Sequence, residues 1–206
     1  MEELELDEAA LAAKFEAENA AEIAAAKDKQ FELTGATQDE LAPLVAPAVA
    51  AAAAAPEAAA PAADSNARLS PLQRVARLSV GERVKLAFLG NKEERAILIR
   101  DGSRVVYSAV VNSPKLTDQE VETIASMKNV QEGVLRELAR KRKFIKNYIV
   151  VRNLVNNPRC PMDLSLNFLK NLTPKDLKEL SMNKGVPETV RKLALRSFKE
   201  KSGKKE

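Results

Sequence analysis

The residues of this chain best suited to chemistry sit in one run, "RELARKRKFIKNY", which sets Arg136, Arg140, Lys141, Arg142, Lys143 and Lys146 within eleven positions, with Phe144 and Tyr148 interleaved. Cations at that density neutralise phosphates and release their counterions, and an interleaved aromatic offers a stacking face to an unpaired base. The sequence therefore points to Arg140, Lys141, Arg142, Lys143 and Lys146 as a contact for an anionic partner. A second reading of the same run needs no partner. It is also what the end of one helix and the start of the next look like, with cations offsetting the helix dipole and aromatics turned to the core.

Other chemistries find little support. The chain has no histidine, which removes imidazole bases, Ser-His and Cys-His pairs and most zinc and haem sites. "GNKEER" at Gly90 to Arg95 lacks the glycine spacing and the Lys-Ser/Thr pair of a phosphate-binding loop. Glu93 and Glu94 are adjacent, so on a helix they diverge by about 100° and suit paired acid and base work poorly. Cys160 is the one cysteine, beside Arg159, and reads either as a reactive thiol or as a small hydrophobe. We expect no catalytic residue, cofactor or metal site, and no enzymatic activity.

Charge divides the chain. Met1 to Asn66 carries 14 acidic residues against 3 basic ones, a formal charge of −11, whereas Ala67 to Glu206 carries 15 acidic against 30 basic, a charge of +15. Residues 1–32 form an acidic arm rich in strong helix formers, with Leu4, Leu11 and Phe15 sharing a thin apolar stripe; it reads as a solvated, partly frayed helix or as a docking helix. Residues 33–68 read as a disordered linker, since 13 of the 18 residues from Ala46 to Ala63 are alanine and three are proline. Large apolar residues gather from Leu69 onward, so residues 69–198 are the basic folded domain and 199–206 a solvated lysine-rich tail. The start "MEELELDEAA" has no hydrophobic signal region and no run is apolar enough to span a bilayer, which suggests a cytoplasmic protein with no membrane partner.

Within the basic domain the signals are helical. Ser70 with Pro71, Ser79 with Glu82 and Thr117 with Glu120 are helix starts, and Gly90 with Asn91 closes the second of these helices. "VVNSPKLTDQEV" from Val110 returns as "LVNNPRCPMDLS" from Leu154, 44 positions later by subtraction. Asn112 and Asn156 suit a left-handed helix cap, Pro114 and Pro158 then forbid continuation, and Thr117 or Pro161 starts the next helix. "NVQEGVLREL" at Asn129 and "NLTPKDLKEL" at Asn171 continue the register at an offset of 42, with a diverged copy in "SVGERVKLAFL", where Leu89 matches Leu138. Repeats of 42 to 50 residues, each of two or more helices, follow from these offsets. A β-hairpin around Asp101-Gly102 competes, because "AILIRDGSRVVYSAVV" is β-branched.

The stretch "VVNSPKLTDQEVETIA" followed by "VQEGVLRELARKRKFI" resembles HEAT-like and leucine-rich-variant helical repeats, in which asparagine-proline joints separate short helices. From "GERVKLAFLGNKEERAILIRDGSRVV" to "GVPETVRKLA" the chain resembles a bacterial helical-repeat family, over about Leu69 to Ser197 and not over the acidic arm. The resemblance implies a fold and no chemistry. The expectation is an all-α protein of nine or ten short helices in antiparallel pairs, stacked as a small HEAT-like solenoid behind a disordered acidic arm. Its core is predicted at Val84, Leu86, Ile97, Val106, Val110, Val121, Ile124, Leu135, Leu138, Val151, Leu154, Leu166, Leu169, Leu177, Leu180, Val190 and Leu193. A non-enzymatic adaptor for a protein partner, its basic surface covered by the arm until the partner displaces it, is the first functional expectation. Nucleic-acid binding is the second.

Overall fold

A computed structural model of the chain describes residues 8–26, 31–34 and 70–203. The linker expected over 33–68 lies outside the described residues apart from Leu33 and Thr34, as does the end of the tail at 204–206. The described residues are all-helical, with thirteen helices and no strand. They are α1 (Glu8–Glu18), α2 (Ala20–Ala25), α3 (Pro71–Arg77), α4 (Val80–Leu89), α5 (Lys92–Leu98), α6 (Arg104–Asn112), α7 (Asp118–Ser126), α8 (Glu132–Arg140), α9 (Arg142–Ile145), α10 (Tyr148–Asn156), α11 (Met162–Leu169), α12 (Pro174–Met182) and α13 (Glu188–Gly203). α13 runs past the expected boundary at Phe198, and Lys201 donates from it to the carbonyls of Lys170 and Leu172 at 2.8 Å each.

Local chemistry accounts for the starts. Ser70, Ser79 and Thr117 each accept a hydrogen bond from the backbone N–H three residues on, and Gln73, Glu82 and Glu120 reach back to the cap N–H. Thr173 accepts from the Asp176 N–H in the same way and opens α12 ahead of Pro174. Each such cap is worth about 1 kcal/mol. The β-hairpin alternative does not form. "RVVYSAVVN" is α6 with Val105, Val106, Tyr107, Ala109, Val110 and Val111 all buried, so packing overrides the strand preference of its β-branched residues.

The ends correct the sequence reading. Asn112 and Asn156 are the last helical residues, not left-handed caps; their side-chain amides donate back to the Ser108 and Arg152 carbonyls at 2.9 and 3.0 Å. The caps are Ser113 (φ −62°, ψ 132°) and Asn157 (φ −78°, ψ 126°), both extended. Each precedes a proline, whose ring excludes helical backbone from the residue before it. Met127 and Asn183 cap α7 and α12 in the same extended conformation. Every one of these joints then makes a two-residue turn, sinks an apolar side chain (Leu116, Val130, Cys160 or Val186) and begins the next helix. Gly90 also caps in extended geometry, and its glycine is needed for room: a Cβ there would collide with the Leu86 carbonyl oxygen and lie 2.7 Å from Glu94 Oε2.

The chain divides into two compact units, Met1–Lys115 and Leu116–Glu206. In the first, α3 packs on α5, α4 on α6, and the arm helix α1 on α4. In the second, α7, α10 and α12 lie in one row and α8, α11 and α13 are linked in another. The first row begins at Asp118, Tyr148 and Pro174, spacings of 30 and 26 residues by subtraction. The physical unit is thus a helix pair shorter than the 42 to 44 residues read from sequence. Those sequence matches pair α6 with α10 and α8 with α12, and the short α9 intervenes.

Of the predicted core, Leu86, Ile97, Leu166 and Leu193 are half-buried and the others are buried. Leu89 does not match Leu138: it is 49% exposed, while Leu138 is fully buried, because the inward face of α4 runs through Val84, Ala87 and Phe88.

Asn157 ties the α7–α10 row together. Its amide donates to the Ala125 and Met127 carbonyls, both at 2.8 Å, and its side-chain oxygen accepts from the Arg159 N–H at 2.9 Å. Those carbonyls belong to the end of α7, where no helical partner exists. Asn157 is 3% exposed, so water does not replace it easily. Asn157→Ala is expected to cost about 2 kcal/mol and Asn157→Asp more, since a carboxylate offers these carbonyls no donor. Urea unfolding of the two variants checks the order.

Candidate functional site

The cationic run spans the end of α8, all of α9 and the start of α10. Arg142, Lys143 and Lys146 are exposed, and no carboxylate among the described residues lies within ion-pair distance of them. Arg140 is exposed with Glu137 at 3.9 Å. Lys141 is half-buried, and burial pushes its ammonium below the ordinary lysine range against the opposing charge of Glu137. Lys141 and Lys143 each stand 5.9 Å from the Phe144 ring centre. The five predicted residues therefore do fall on one short segment, with Arg142, Lys143 and Lys146 the most available. Arg136 belongs elsewhere: it pairs with Glu132 at 2.9 Å and Asp163 at 3.1 Å and links α8 to α11.

Neither aromatic stands ready to stack. Phe144 is buried at 4% exposure. Tyr148 gives its hydroxyl proton to Asp176 and accepts from the Thr173 N–H at 3.0 Å. Asp176 also accepts from Thr173 Oγ1 at 2.7 Å and pairs with Arg152 at 3.1 Å. Burial alone would push the Asp176 carboxyl up, but the Tyr148 and Thr173 hydrogen bonds and the Arg152 charge outweigh it and hold the group below the ordinary carboxylate range.

The remaining candidates serve structure. Glu94 is buried, receives the Asn91 N–H at 2.9 Å and pairs with Arg74 at 3.3 Å. Cys160 fills the apolar position of its joint, and burial raises its thiol above the ordinary range, the opposite of an activated nucleophile. No group of three or more potential metal ligands occurs among the described residues, and none of their helices is long and apolar enough to cross a membrane.

A second site was not legible as one in the sequence. The acidic arm is seated on the first unit and does not lie free over residues 8–26 and 31–34. Ala12 is buried, Phe15 packs against Phe88 with ring centres 5.6 Å apart, and Glu8 and Glu16 pair with Lys115 at 2.6 Å and Lys85 at 3.8 Å. After α2 the chain extends across the turn between α5 and α6. The Thr34 N–H donates to the Arg100 carbonyl and the Gly102 N–H to the Glu32 carbonyl, both at 2.8 Å, around an isolated antiparallel bridge between Leu33 and Asp101.

That extended piece covers a buried ion pair. Arg83 donates to Asp101 at 2.6 Å with both side chains at most 2% exposed, and Asp101 also accepts from the Ser103 N–H at 2.7 Å. Arg83 Nε donates to the Leu78 carbonyl at 3.2 Å, and the Phe31 ring centre lies 5.6 Å from the guanidinium carbon. Burial pushes the Asp101 carboxyl up, opposed by the Ser103 N–H and the Arg83 charge. The only sequence signals for this site were the thin stripe of Leu11 and Phe15 and an arginine and an aspartate 18 positions apart.

For the α10–α12 link the sign is set by a lowered carboxyl: its contribution to stability is present above the unfolded value, about pH 4, and is lost as pH falls through the folded value. Tyr148→Phe should cost about 2 kcal/mol at neutral pH, with the difference from wild type shrinking toward pH 3 in chemical unfolding. Comparison of the chain with family models, with curated proteins and with solved structures finds no match.

Proposed function

We propose that the chain is a non-enzymatic scaffold for protein–protein interaction, built as a short HEAT-like solenoid of helix pairs. The observation that carries this reading is the arm itself: a helical-repeat surface already holds a helix and an extended segment, using an apolar stripe, two ion pairs and two backbone hydrogen bonds. Grooves between stacked helices commonly bind in this way. The rows of the second unit, recurring at 30 and 26 residues by subtraction, support the solenoid. The engagement of Glu94, Asp101 and Asp176 in caps and ion pairs supports a binding role over catalysis. A single buried thiol suits a reducing, cytoplasmic setting.

A second reading rests on α9. Arg142, Lys143 and Lys146 are exposed without ion-pair partners, as phosphate contacts are. Salt separates the two readings. The scaffold predicts a protein partner retained after nuclease treatment and unaffected by the triple substitution Arg142→Glu, Lys143→Glu, Lys146→Glu. Nucleic-acid binding predicts an affinity that falls steeply with salt, with the triple substitution removing about 2 from the log–log slope for a single strand. Loss of all retained protein on nuclease treatment would overturn the scaffold.

A further inference from the structure

We propose that the groove on α4 is the scaffold's protein-binding site, that the N-terminal arm is its built-in competitor, and that the external partner is an acidic amphipathic helix with larger apolar residues than the arm carries. This rests on the scaffold reading and names the partner's chemistry.

Charge gives the first half of that description. The groove contributes Lys85 and Lys115, and what sits on it contributes Glu16 and Glu8. The extended segment that follows is held by backbone groups at Arg100 and Gly102, which accept any extended chain irrespective of its side chains. Acid on the ligand and lysine on the groove set direction and register, while the backbone bonds add affinity without selectivity.

Fit gives the second half. Ala12 is the one buried residue of α1, α2 buries none, and Phe15 and Ile23 are only half-buried. Between α2 and α4 lies an open hollow of about 360 Å³ whose walls include Ala20, Ile23, Ala24, Val80 and Gly81. Ala20 and Ala24 stand four residues apart on one face of α2, and both are too small to fill it. A leucine or methionine at each position would bury more apolar surface at the same site. The arm is therefore a ligand of deliberately incomplete fit. Its tether, residues 35–69, compensates by holding it at an effective concentration on the order of millimolar, as short linkers do. A partner succeeds only by binding better than the arm does, and the hollow is where that advantage is available.

The test uses the full chain and two fluorescent peptides, one copying residues 8–34 and one carrying Ala20→Leu and Ala24→Leu. Fluorescence anisotropy should show at least tenfold tighter binding of the first peptide to an Ala12→Glu, Phe15→Glu chain than to the wild type, whose groove is filled. The leucine peptide should bind about tenfold tighter than the first, and Lys85→Glu with Lys115→Glu in the groove should weaken both. A double variant that keeps its helical circular dichroism yet binds neither peptide overturns the proposal, as does equal binding of a peptide bearing the same two glutamates. A wild-type dimer in light scattering that the double variant makes monomeric also overturns it, because the groove then belongs to a second copy's arm. Should the double variant lose helix content, Lys85→Glu paired with a Glu16→Lys peptide reads the same contact by charge exchange. Nuclease-resistant capture of a protein by a folded variant that ignores both peptides would sink the groove and leave the scaffold standing.

Discussion

Short helices have a high proportion of ends, and each end leaves four backbone donors or four acceptors without a helical partner, so end satisfaction is the constraint that governs this fold. Most helices here are between six and eleven residues long. The polar side chains are consequently spent on termini. Ser70, Ser79, Thr117 and Thr173 receive the first N–H groups, and Glu82, Glu94 and Glu120 return to the cap N–H groups. Asn157 reaches across to the carbonyls that end α7. Residues that in another protein would form a catalytic cluster are committed to holding helices in place, and this is why binding by shape and charge is the natural use of such a surface.

The first unit meets a different demand. Arg83 and Asp101 are both removed from water, and a buried pair of this kind costs solvation that only close geometry and further hydrogen bonds offset. The Leu78 carbonyl and the Ser103 N–H supply those bonds. Phe31 then lies near the guanidinium and Leu33 bridges to Asp101, so the arm contributes to the enclosure. The dependence is mutual: the arm has little apolar surface of its own and gains its place from backbone groups that the ion pair keeps in position at Asp101 and Gly102.

What the sequence disclosed was local. Capping boxes are spaced three residues apart and need no knowledge of the fold, so Ser79-Glu82 and Thr117-Glu120 were legible, as was the inward face of helices whose burial follows from spacing alone. The cap geometry at Asn112 and Asn156 was misread because the proline acts on the residue immediately before it, which shifts the extended cap to Ser113 and Asn157. The repeat length was misread because α9 inserts an extra turn between α8 and α10, so similar sequences do not mark stacked neighbours. The arm's seat was open in the sequence because Ala12 and Phe15 have meaning only beside Phe88, and Arg83 only beside Asp101. In the cationic run, sequence located the charges correctly but could not show that Phe144 is buried or that Tyr148 is bound to Asp176.

The strong charge asymmetry of the chain invites the idea of a single electrostatic latch, with an acidic arm lying over a basic domain. The ion pairs described for the arm favour a narrower device. Glu8 and Glu16 meet Lys115 and Lys85, residues of the first unit that also flank its apolar stripe. Exposed pairs of this kind contribute little energy each, well under the contribution of burying an aromatic side chain. Their value lies in register, since they fix which way a helix lies along α4 and discriminate against a basic one. A partner recognised there is selected for its sign and its apolar bulk together. The cations of α9 are free to answer to a different ligand, because nothing in the arm's described contacts draws on them.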